Sequence, residues 1–64
     1  MTEITIKFKD RNRSDLKVKL KQNCCIDYYG ALVRVPIATK EGISVCKLFS
    51  ADSIEEITEV IRED

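Results

Sequence analysis

The chain contains no histidine and no tryptophan, and its 64 residues include only two glycines (Gly30, Gly42) and one proline (Pro36). Without histidine the usual general base near neutral pH is missing. Two isolated glycines cannot build a glycine-rich phosphate loop. No uninterrupted apolar run approaches the ~20 residues needed to span a bilayer, so no membrane association is expected. The opening Met1–Thr5 has no basic stretch followed by an apolar core, so no secretory signal is expected either. Net charge is also lacking, because eleven basic and eleven acidic side chains cancel. A chain of this length buries only about 60% of its unfolded surface, which leaves a thin core and no room for a deep cleft. An enzyme is not expected.

The three cysteines, Cys24, Cys25 and Cys46, are an odd number. A small secreted disulfide framework normally uses four, six or eight. A structural zinc site needs four ligands, which three thiols without histidine cannot supply. No base pairs with any of the three to activate a nucleophile. At least two of them are expected to be small buried hydrophobes in a reducing cytoplasm. Consecutive Glu55 and Glu56 do not make a catalytic carboxylate pair. Asp10, Asn12 and Ser14 alternate like the opening of a calcium loop, but the sixth position is Asp15 instead of glycine and the twelfth is Lys21 instead of glutamate. No metal and no cofactor is expected.

What is present is a strand composition. Ile, Val and Thr supply seventeen residues against seven for Leu and Ala, and β-branched side chains favour sheet. Residues 2–9 alternate strictly, with Ile4, Ile6 and Phe8 on one face and Thr5, Lys7 and Lys9 on the other. Residues 16–21 repeat the pattern, with Leu16, Val18 and Leu20 inward and Lys17, Lys19 and Lys21 outward. The polar cluster Asp10–Asp15 between them predicts an antiparallel hairpin. Residues 24–29 and 31–37 read as further strands broken at Gly30. The second is apolar on both faces, as in a well-covered strand, and Pro36 should end it or place it at an edge. Residues 39–42 read as a hairpin loop and 43–49 as the next strand. At the tail, Ser53 and Glu56 fit a helical capping box, whereas Ile54, Ile57, Thr58, Val60 and Ile61 are all β-branched. The reading is one helical turn at about 53–56 and a strand at 57–62, with a full helix as the alternative.

The charges are unevenly placed. Residues 1–23 carry seven basic side chains against three acids, and residues 24–64 carry four against eight. Lys7, Lys9, Lys17, Lys19 and Lys21, extended by Arg11 and Arg13, would line one hairpin face and track a phosphate backbone. No aromatic interleaves them, and the competing reading is a solvated surface balanced by the acidic half. Tyr28 and Tyr29 are the best candidates for contacting a partner, because tyrosine is enriched at interface hot spots. One ring in the core and one over a rim is the competing arrangement. The tail acids Glu55, Glu56 and Glu59 are the second candidate surface, suited to a basic partner.

The segments Ile4–Asp10, Tyr29–Pro36 and Phe49–Ile57 together resemble the small all-β proteins encoded by phages and mobile elements of low-G+C Gram-positive bacteria. The resemblance is one of rhythm across most of the chain and carries no functional residue over. It implies a short meander ending in a polar helical turn and a last strand. Some such proteins inhibit host machinery, including defence systems. The expectation is therefore a single domain over residues 1–64, mainly β: an antiparallel four- to five-stranded meander curled into a small barrel with a short C-terminal helical turn. The expected function is a cytoplasmic, non-enzymatic protein-interaction module that inhibits or regulates bacterial machinery. The alternatives are a nucleic-acid-binding β-barrel using the lysine hairpin and a small structural component of a phage particle. A homodimer fits a thin core, and nucleic acid is expected to bind weakly or not at all.

Overall fold

The computed structural model describes residues 1–62, and they form six antiparallel strands in two three-stranded sheets. The strands are β1 (Thr2–Phe8), β2 (Leu16–Leu20), β3 (Asp27–Tyr29), β4 (Leu32–Lys40), β5 (Ile43–Ser50) and β6 (Ile54–Ile61). The first sheet has the order β2-β1-β6 and the second β3-β4-β5. The chain is mainly β, as its composition indicates. It is not a closed barrel: among the described residues no strand ladder joins the two sheets. The three residues of β3 are too few to close the gap, and the 21–26 connector leading to it forms no strand. Nor is the order a pure meander, because the last strand returns to the first. The Met1 ammonium donates to the Arg62 carbonyl at 2.8 Å, and the Arg62 N–H donates to the Met1 carbonyl at the same distance.

The first hairpin follows its alternation. Ile4 pairs with Val18 and Ile6 with Leu16, which stacks the apolar faces of β1 and β2 on one side. In the loop, Asp10 turns the chain through its own side chain: Oδ1 accepts from the Asn12 N–H and its carbonyl accepts from the Arg13 N–H. The core is Ile4, Ile6 and Phe8 from β1, Val18 and Leu20 from β2, Ile26 from the connector, and Val33 and Val35 from β4. Each fully buried side chain of this size contributes about 1.5–3 kcal/mol of transfer free energy.

Three expectations are corrected. The helical turn at 53–56 does not form: a 3-10 turn occupies Ala51–Ser53, and Ile54 already begins β6. The Ser53 hydroxyl donates back to the Ser50 carbonyl instead of capping a helix. Free β1 edge groups and a β-branched segment favour the ladder, which runs from Phe8–Ile54 to Thr2–Ile61 with Glu55 bulged out. Pro36 does not end its strand, and β4 is the central strand of its sheet. A bulge at Ile37 follows the proline. Ladder alternation turns the position of its missing N–H toward the side that β3 leaves unpaired, since β3 reaches only as far as Arg34. Finally, the loop of the β4–β5 hairpin is two residues long. Glu41 (φ 51°) and Gly42 (φ 78°) both take left-handed backbone, the pattern of a tight hairpin turn.

Candidate functional site

Register places the side chains of the second sheet. Val33 pairs with Phe49 and Val35 with Lys47 on the side facing the first sheet. The opposite side therefore carries Tyr29 beside Leu32, and Asp27, Arg34 and Leu48 in the next row. The apolar run of β4 is not covered on both faces as expected. Its inner face packs on the first sheet, whereas on the outer side Pro36 is buried but Leu32 is open. Leu32, Tyr29 and Leu48 are exposed at 45%, 55% and 61%. Tyr28 points the other way but lies at the rim, where it is 66% exposed. Neither tyrosine is in the core, which overturns the arrangement with one buried ring. Cys46 is exposed on the same outer face, opposite Pro36.

Arg34 is held in place at the centre of this face. Its guanidinium donates to the Asp27 carboxylate across the β3–β4 ladder and lies 5.1 Å from the centre of the Tyr29 ring. The hydrogen bond to Asp27 raises its pKa first, and the proximity of Tyr29 adds to the shift, so it is a permanent cation. A fixed guanidinium flanked by a tyrosine and two leucines offers a planar donor and apolar area together. Leu32, Arg34 and Leu48 were missed from sequence because only the register shows that they share a face with Tyr29.

The other predicted residues scatter. Lys7, Lys17 and Lys19 do occupy the solvent face of the first sheet, but acids from β1 and β6 share that face with them. Glu56 is directly opposite Lys7, and Glu3 is opposite Lys19 with a 3.9 Å ion pair. Arg62 reaches Glu3 as well, at 3.8 Å. The basic and acidic halves thus lie side by side. Arg13 leaves the lysine row: its guanidinium stacks 3.8 Å over the Phe8 ring and 5.4 Å from Phe49, closing one end of the core. Lys9, Arg11 and Glu55 line a shallow depression of about 450 Å³ beside Lys7. Lys21 lies at the far end of β2, beside the β4–β5 turn. The acids do not make one surface. Glu56 faces Lys7, Glu55 sits among the basic side chains, and Glu59 accepts the Ile26 N–H at 3.3 Å, pinning the connector.

The cysteine expectation is corrected too. Cys24 packs half-buried against the core, while Cys25 and Cys46 are exposed, because among the described residues none packs over the connector at Cys25 or over the outer face of β5 at Cys46. Among the described residues no three potential metal ligands converge, and no helix is long and apolar enough to cross a membrane. No protein-family model, curated protein or solved structure matches this chain.

Proposed function

We propose that this chain is a non-enzymatic protein-interaction module whose contact surface is the outer face of the β3-β4-β5 sheet. The supporting observation is the uncovered cluster of Tyr29, Leu32 and Leu48 around the anchored Arg34. Contiguous apolar surface of this kind marks binding sites, and Tyr and Arg are the residues most enriched at hot spots. Arg34 has surrendered its rotamer freedom in advance, so less entropy is lost on association. Tyr28 extends the surface at its rim. Following the resemblance to phage and mobile-element proteins, we assign the partner to bacterial host machinery such as a defence system, which the chain inhibits or regulates. Two exposed thiols suit a reducing cytoplasm.

The reading as a nucleic-acid-binding barrel has less support, because Glu3 and Glu56 lie within the lysine face that would contact phosphate. The two readings separate in one experiment. Immobilised wild type and the Leu32→Glu, Leu48→Glu double variant are challenged with bacterial lysate, with and without nuclease. The proposal expects a protein retained by the wild type in the presence of nuclease and lost from the double variant. Retention that nuclease abolishes, or that the double variant keeps, overturns it.

A further inference from the structure

Each sheet ends in two edge strands, and a free edge offers unpaired N–H and C=O groups to any other strand. Three of the four edges are guarded. β2 carries Lys17 and Lys19 in five residues, β6 carries Glu55, Glu56 and Glu59 in eight, and β3 is only three residues long. β5 has eight residues, one charge at Lys47, no proline and no bulge of its own. All of it except Phe49 is exposed, including Ile43 at 66%.

The direction of its backbone follows from the ladder. The Ala51 N–H donates to the Ala31 carbonyl, and such pairs recur every second residue, so Phe49 and Lys47 turn their polar groups to β4. Ser44, Cys46 and Leu48 direct theirs away from the molecule. We propose that a second copy of this chain docks here, β5 against β5 in antiparallel fashion, with the two-fold axis passing between the two Cys46 residues. This goes beyond the partner surface proposed above, since it uses the backbone edge of β5, and of the residues in that surface only Leu48 takes part in both.

Self-pairing about a two-fold axis normal to the sheet must place like faces opposite each other, so the axis passes through a residue paired with itself. An axis at Lys47 would set two ammonium groups face to face. An axis at Val45 would strand Leu48 and Phe49 outside the pairing. Only the axis at Cys46 pairs all of 43–49: Ile43 with Phe49, Ser44 with Leu48 and Val45 with Lys47, each twice. The aromatic pairs with a β-branched residue, no like charges meet, and about six backbone hydrogen bonds form. The result is a closed dimer with a continuous six-stranded sheet. A one-strand interface belongs to the small class, below about 1,200 Å², so the dimer is concentration-dependent.

Sedimentation of the reduced protein across micromolar to millimolar concentrations should show a monomer–dimer equilibrium. Val45→Lys places lysine opposite Lys47 of the second copy and should weaken dimerisation at least tenfold. Adding Lys47→Glu to that variant should restore it, because opposite charges then meet in this register and in no other. Diamide, which takes up the two electrons and two protons of two thiols, should link wild-type dimers through Cys46 and not through Cys25. Circular dichroism confirms that each variant is folded. Leu32→Glu should leave the dimer intact, so loss of the outer-face partner and loss of the dimer are told apart. A monomer at millimolar concentration, failure of the charge swap to rescue, or linkage through Cys25 would each overturn the proposal.

Discussion

Thr2 is the residue whose removal tests the fold most sharply. It is 0% exposed, the only buried polar side chain among the described residues. Its hydroxyl donates to the Gln22 carbonyl at 2.9 Å and accepts the Cys24 N–H at 3.1 Å. One hydroxyl thus fastens the 21–26 connector, which carries the chain from the first sheet to the second. Thr2→Val keeps the shape and removes both bonds. Each backbone group left unsatisfied costs about 1 kcal/mol, at the lower end of the range because Gln22 is exposed and Cys24 only half-buried. The extra methyl returns at most about 0.8 kcal/mol, so the net loss should be about 1–2 kcal/mol. A domain of this size has about 3–10 kcal/mol of stability in all. Thr2→Ser retains both bonds and loses one methyl, for about 0.8 kcal/mol. Urea unfolding monitored by circular dichroism should show the valine variant with the lower midpoint and both with an unchanged slope. The thermal midpoint of the valine variant should fall by about 4–8 °C for each kcal/mol lost. A valine variant as stable as the serine variant would refute the claim that the hydroxyl holds the connector.

Ile6→Asp should unfold the domain, because it places a carboxylate in a fully buried site. Lys7→Asp on the opposite face should cost about a kcal/mol or less, and the two denaturation curves compare them directly. In the native protein Cys25 and Cys46 should react with a thiol reagent at similar rates, and half-buried Cys24 more slowly, which mass analysis of the quenched products resolves.

Much of the first sheet was legible because its information is local. Strict alternation over residues 2–9 and 16–21 around a polar cluster specifies a hairpin and its buried face, and Ile4, Ile6, Phe8, Val18 and Leu20 are in the core. The β-branched composition also marked the chain as mainly β. Residues 53–56 misled because a serine three residues before a glutamate also fits a capping box; the free edge of β1, distant in sequence, drew that segment into a ladder instead. The apolar residues on both sides of β4 were ambiguous for a related reason. Alternation says that two faces exist but not whether anything covers each, and here the outer one is open at Leu32. Arg13 could be read only as another cation, because its place over Phe8 and Phe49 depends on a loop folding back. The sequence by itself determined strand character, the first hairpin and the absence of histidine chemistry, all of which are properties of neighbours along the chain. Tertiary structure alone decided which acids would oppose the lysines, that Tyr29, Leu32, Arg34 and Leu48 would share a face, and that β5 would remain an open edge. Those features depend on strand register and sheet order, which bring together residues that no local pattern connects.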